Sequence, residues 1–341
     1  MAGGDAAADL DVLIVSLGST GGLRAADAEL AGSLQRAGVS VAVASATAPR
    51  SVRTLALTDL SWALAARRAA SAELARRTPR ATIYSSTTAA LLWPRPGAIR
   101  FDAPAAGNRP GRHGLWQRPL ERRRLGQTPL LLPLSEGGLR EVPLPARRHT
   151  GRALVLPVSI EASGVESASR DIDAITYAAN PRKKGLDRVL DAWRRARRPT
   201  EELLIAGVNE QELRRAGLEL PEQGVRVTGM LARDEYRALL RRARVFVCAP
   251  RREDYGQAQL EALADGCQLV TTAAPGPYAA LPLARELDHR LVSEDLAGAL
   301  RIALDDATPD YAARAWQALA PYRRDTVDRL VAEQLLPRLL A

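Results

Sequence analysis

The sequence predicts an α/β protein made of two tandem doubly wound, Rossmann-like domains facing a cleft. Short apolar runs bounded by polar residues and glycine alternate with helical stretches, the βαβα order of a parallel sheet covered on both faces. The alternation breaks from Glu141 to about Arg170, in a stretch rich in Pro, Ser, Ala and Gly, and then resumes. The 341 residues, 46% of them apolar, are enough for two ordinary cores.

In chain order, "DLDVLIVSLG" from Asp9 reads as a buried strand. A Gly-rich turn holding Gly21 and Gly22 follows, then a helix ending near Gly38. "VSVAVAS", "ATIYSS" and "AIRFDA" are the next strands. The crossover contains one expected short strand, "RALVLPV". Beyond it, "DAITYAA" is a strand and "GLDRVLDAWRRA" a helix, with Leu186, Val189, Leu190 and Trp193 on one face. "ELLIAGV", "VRVTGML", "VFVCAP" and "CQLVTT" complete the second set of strands, and Asn209 with Glu212 is spaced as a capping box. The expected domains are residues 1–157 and 158–322. An amphipathic helix in 323–341 is expected to return to the first domain.

Charge is uneven. Residues 1–150 hold 20 Arg and 11 acids, whereas 151–341 hold 28 basic and 28 acidic residues. The whole excess of +9 lies in the first half, which suits an anionic partner such as phosphate, lipid surface or nucleic acid; arginine on solvated faces explains it equally. Of the 48 Lys and Arg, only Lys183 and Lys184 are lysines, and they are neighbours. No apolar run reaches membrane-spanning length. The N-terminus lacks a basic region and an apolar core of a signal peptide, so the expected place is cytoplasmic. Cys248 and Cys267 sit in apolar stretches and read as buried reduced thiols.

The turn "RREDY" from Arg251 follows a strand, and Gly256 precedes a helix beginning at Gln257. Amides at a helix start favour an anion, and glycine lets a phosphate approach the backbone. Glu253 and Glu261 suit hydroxyls, because carboxylates only accept. The turn therefore reads as a site for a ligand with both phosphates and hydroxyls. E-x7-E alone is weak, since Glu202/Glu210 and Glu286/Glu294 share the spacing.

"EDYGQAQLEALADG" (Glu253–Gly266) resembles the E-G-F-G-x-x-x-L-E-A-x-A-x-G pattern of the family 4, GT-B-fold retaining glycosyltransferases. The resemblance implies that Glu253 contacts the transferred sugar and Glu261 the donor ribose. It implies that amides after Gly256, at Gln257 and Ala258, hold the diphosphate. Lys184-Gly185 fits the family's Lys-Gly, implying a cation on the leaving diphosphate; the family arginine aligns with Ala178, leaving Arg182 or Lys183 to supply that charge. Gly21-Gly22 matches a Gly-Gly of many relatives, near donor phosphate or acceptor. Phe101-Asp102 stands where relatives often carry a histidine, so Asp102 is an acceptor-side candidate by position only.

Arg109, Arg112, His113, Arg118 and Arg122–Arg124 with Trp116 form a basic, aromatic-tipped stretch suited to an anionic acceptor or membrane surface. His113 alone reads as structural. Asp171 and Asp173 mimic a metal-binding DxD but precede a strand, so no metal and no cofactor is expected. The expected activity is retaining transfer of a sugar from a nucleoside-diphosphate sugar to a sugar, glycan or lipid acceptor. Alternatives are a GT-B-like sugar-nucleotide epimerase or a non-catalytic nucleic-acid or anion-binding protein. The 4% aromatic content and the absence of a nucleic-acid motif weigh against nucleic acid.

Overall fold

The computed structural model describes residues 10–48, 54–109, 111–143, 150–164, 169–221 and 223–341. The chain divides into two compact units, residues 1–159 with 324–341, and residues 160–323. Each unit is built on one five-stranded parallel sheet.

In the first unit, β1 (Val12–Ser16) leads to α1 (Gly21–Arg36), β2 (Val41–Ser45), α2 (Leu55–Arg76), β3 (Ala81–Tyr84) and α3 (Thr87–Ala90). Then come β4 (Ala98–Phe101), α4 (Ala105–Asn108), α5 (Gln117–Gln127), β5 (Leu131–Pro133) and α6 (Glu136–Glu141). The strand order is β2-β1-β3-β4-β5. The two-residue period of a strand sends alternate side chains to opposite faces. Val12 and Ile14 join one core cluster with Leu30 and Leu34 of α1; Leu13 and Val15 join another with Ala66 and Ala70 of α2. The sheet is therefore covered on both faces, which is why its strands read as continuous apolar runs.

The second unit carries β6 (Ile172–Tyr177), α7 (Leu186–Ala196), β7 (Leu203–Ala206), α8 (Glu210–Arg215), β8 (Val225–Gly229) and α9 (Arg233–Arg242). It continues with β9 (Ala243–Cys248), α10 (Gln257–Ala264), β10 (Gln268–Thr271), α11 (Ala280–Asp288), α12 (Leu296–Asp305) and α13 (Tyr311–Ala318). Leu186, Val189, Leu190 and Trp193 are all buried, and Trp193 Nε1 donates to Gly224 O at 2.7 Å. Asn209 and Glu212 form the reciprocal capping box. Near the C-terminus, α14 (Arg324–Leu330) leads through a π turn at Val331–Leu335 into the short α15 (Leu336–Leu339). Val327, Val331 and Leu335 lie in the first unit's core beside Val12 and Ile14.

The structure corrects two elements. "RALVLPV" is not a strand. The amides of Leu154 and Leu156 donate to Leu131 O and Pro133 O, both at 2.9 Å, leaving a single bridge at Ala153. β5 was not anticipated; it is only three residues long and ends in a proline.

Candidate active site

The second sheet runs β10-β9-β6-β7-β8, so chain order reverses between β6 and β9. Ligands of open parallel sheets lie outside the strands' carboxyl ends at such a reversal. The loops leaving β6 and β9 there are 178–185 and 249–256.

Glycine lets these loops touch. Gly185 has φ 65°, and a Cβ on it would stand 1.8 Å from Ala249 O. A side chain would be excluded by both sterics and conformation. Arg251 N donates to Lys183 O at 3.0 Å. The Arg251 guanidinium holds Arg182 O at 2.8 Å and pairs with Asp187. Both lysines are thereby carried to the turn after β9. Lys184 Nζ lies 2.7 Å from Glu253 Oε2. Lys183 pairs with Asp254, which also accepts from Arg252 Nε at 2.9 Å.

Glu253 is 5% exposed. Its amide donates to Pro275 O at 3.0 Å, and its Oε2 also accepts from Gln259 Nε2 at 3.0 Å. Gly256, at φ 91°, starts α10 with no side-chain cap. The first-turn amides, including those of Gln257 and Ala258, face the helix entrance, where a negative group is favoured. Glu261 is nearly buried; its Oε1 accepts from Arg233 Nη2 at 3.0 Å and Gln257 Nε2 at 3.1 Å. Behind the turn, Cys248, Thr271 and Tyr278 form a buried cluster, with Tyr278 Oη 2.9 Å from Thr271 Oγ1. Burial pushes the Cys248 thiol up, and the Cys267 thiol up to about 12. Both are neutral thiols.

Among the sequence candidates, Glu253, Lys184, Gly256, Gln257, Ala258 and Glu261 thus converge at the reversal point. Ala178 is buried, its amide bound to Ala206 O, and supplies no charge. Arg182 is exposed, with no ion-pair partner for its side chain among the described residues. Asp171 pairs with Arg242, and Asp173 with Arg244 and the Glu202 amide. Sequence reasoning missed Arg233, Asp254 and Gln259. The signal for Gln259 was a glutamine directly before the run "LEALA", at a position that proves buried.

The first unit's candidates are engaged differently. Gly21 and Gly22 form the exposed first turn of α1, after its cap Thr20, whose Oγ1 accepts from Leu23 N at 3.2 Å. Asp102 Oδ1 accepts from Ala103 N at 2.7 Å. Arg109 is clamped by Asp59 through bonds of 2.6 and 2.9 Å. The basic stretch needs correction at Arg124, which lies over the Trp93 ring at 4.9 Å and donates to Leu91 O at 2.9 Å. It packs rather than presenting its charge. Arg112, His113, Arg122 and Arg123 are exposed; Trp116 is half-buried, and the exposed apolar tip is Leu115 at 64%. Glu121 is buried and accepts twice from Ala105 N, at 2.8 and 3.0 Å. Burial pushes its carboxyl up to about 7.

Two α/β units, each on a five-stranded parallel sheet, define the class: the chain has the fold of GT-B glycosyltransferase structures. Residues 173–307, within the second unit, match the family Glycosyl transferases group 1. WaaG, a glycosyltransferase involved in lipopolysaccharide biosynthesis, is similar at TM-score 0.70 and 15% identity, over 95% of this chain and 100% of that one. Sucrose-phosphate synthase from Thermosynechococcus elongatus is similar at 0.67 and 16%, over 97% and 99%. Anabaena HepE, solved in complex with UDP and glucose, is similar at 0.67 and 14%, over 96% and 99%. No curated protein sequence matches the chain.

Proposed function

We propose that the chain is a family 4 glycosyltransferase, retaining and independent of metal, that uses a nucleoside-diphosphate sugar. The observation that carries this reading is the meeting of Lys184 and Glu253 at 2.7 Å beside the uncapped start of α10. Transfer breaks the bond from the sugar's anomeric carbon to the β-phosphate oxygen, and the electron pair stays on that oxygen. The acceptor hydroxyl forms the new bond on the same face, and its proton passes to the departing phosphate. Lys184, the exposed Arg182 and the α10 amides suit the growing negative charge and take the place a metal would fill. Glu253 orients the sugar and Glu261 holds the ribose. Retention rests on the resemblance of the Glu253–Gly266 motif.

The acceptor is a sugar, glycan or lipid-linked group. The exposed Arg112, Arg122 and Arg123 around Leu115 support contact with an anionic surface. Among the described residues no helix is long and apolar enough to cross a membrane; we place the protein in the cytoplasm, peripheral to the membrane. A relative solved with UDP makes UDP the first donor nucleotide to test. A thermal-shift screen of UDP, GDP and ADP with their sugar conjugates is the experiment, because a ligand of the folded state raises the melting temperature. One nucleotide and its sugar should stand out. No shift with any of them would overturn the reading.

A further inference from the structure

Glu253 binds its two protein donors through one oxygen. Lys184 Nζ at 2.7 Å and Gln259 Nε2 at 3.0 Å both reach Oε2. Among the described residues, Oε1 accepts no hydrogen bond. An ionised carboxylate has acceptor capacity on both oxygens, so this asymmetry is a division of labour: one oxygen is held and the other is open.

The two donors differ in kind. Lys184 is a flexible cation with a side chain 23% exposed, able to leave its partner for a stronger anion. Gln259 is 1% exposed and fixed on α10. Its amide nitrogen also lies 3.6 Å from Cys248 Sγ, so both amide hydrogens have partners, and the carboxylate settles which end of the amide faces Glu253. The same pattern recurs at Glu261, where Gln257 and Arg233 share Oε1. In both places a carboxamide of α10 and a mobile cation hold one carboxylate oxygen.

Building on the function proposed above, we infer that Gln259 is a positioning residue for Glu253. It fixes Oε2 so that Oε1 meets the donor sugar, and it keeps its hold when the donor's diphosphate draws Lys184 away. Without it, a nearly buried carboxylate would lose its last fixed donor at the moment the sugar arrives.

The test uses Gln259→Met, which keeps side-chain length without a donor, beside Glu253→Gln and the double variant. Calorimetric titration with UDP and UDP-glucose, and with the GDP and ADP pairs, gives the ratio of sugar-nucleotide to nucleotide affinity. Gln259→Met should lower that ratio about tenfold, the scale of one lost charged hydrogen bond, with nucleotide affinity and melting temperature nearly constant. On the Glu253→Gln background it should add nothing. Gln259→Glu, which adds a like charge, should lower the ratio further. Equal weakening of nucleotide and sugar nucleotide would mean a merely structural side chain and overturn the inference. An unchanged ratio in Gln259→Met, with a changed one in Glu253→Gln, overturns the positioning role and leaves the proposed function standing. An unchanged ratio in Glu253→Gln, or no binding of any pair, overturns both.

Discussion

In the second unit, the turn after β9 gathers charge from distant places. Lys184 comes from the β6 loop, Arg233 from α9, and the carboxylates they meet each keep one oxygen open among the described residues. In the first unit, the region after β4 is richer in arginine but much of that charge is consumed internally. Arg109 is locked to Asp59, Arg124 lies on Trp93, and Glu121 caps α4 from a buried position. The basic excess of residues 1–150 is therefore a weaker pointer to a candidate site than the side-chain geometry of the second unit. What marks a site is a set of charges brought together by chain reversal and left with unfilled valence.

The sharpest way to break this comparison is Lys184→Ala. In the proposed transfer, negative charge grows on the diphosphate as the sugar leaves, so the loss should fall mainly on turnover. kcat should drop about 10²–10³-fold, the scale for one lost charge-stabilising donor. Lys183→Ala should do far less, because its partner Asp254 keeps Arg252. Steady-state kinetics on folded variants decides it; near-normal kcat for Lys184→Ala would displace the phosphate site.

Glu121 tests the first unit's internal use of charge. Its folded carboxyl titrates near 7, above an ordinary value of 4.5, because burial disfavours the ionised form. The folded state thus holds this proton more tightly. Its stabilisation is full below pH 4.5 and is lost as pH rises through 7, to a total on the order of 3 kcal/mol. Glu121→Gln stays neutral and can still accept from Ala105 N. Denaturant melts from pH 4 to 8 should show wild-type stability falling relative to the variant, and parallel curves would remove Glu121 as the cause.

Glu261→Ala should weaken nucleotide binding by roughly 1–3 kcal/mol. Since Arg233 and Gln257 then lose their shared acceptor, the melting temperature must be measured beside the titration. Unchanged nucleotide affinity in a folded variant would take Glu261 out of the site.

The sequence made the β9–α10 turn legible because its motif is local: a strand, Glu253, Gly256, Glu261 and Gly266 lie within one short stretch. The lysine pair was visible because it broke the composition. What stayed hidden depends on distant partners. Nothing near Arg109 announces Asp59, fifty positions away in sequence, and nothing near Glu261 announces Arg233. Gln259 was readable only as a polar residue in a buried helix, without its partner. The short β5 and the non-strand at 152–158 escaped because a few apolar residues beside prolines look alike whether they pair on one side or two.

The smallest effect concerns the part of the basic stretch that remains exposed. Arg122 and Arg123 face solvent on α5, whereas Arg124 turns inward. If the exposed pair meets an anionic surface, each should contribute about 1 kcal/mol, screened by salt. Arg122→Gln and Arg123→Gln should each lower binding to vesicles of phosphatidylglycerol and phosphatidylcholine about fivefold, with nucleotide affinity unchanged. Arg124→Gln should show the opposite pattern. It removes the guanidinium from the Trp93 face and a donor from Leu91 O, so its cost should appear as a lower melting temperature with vesicle binding largely kept. Co-sedimentation and thermal melts on the three single variants separate the cases. Equal vesicle binding by all three and the wild type would make the whole stretch solvated surface, and the ligand-directed charge of the molecule would then lie in the second unit.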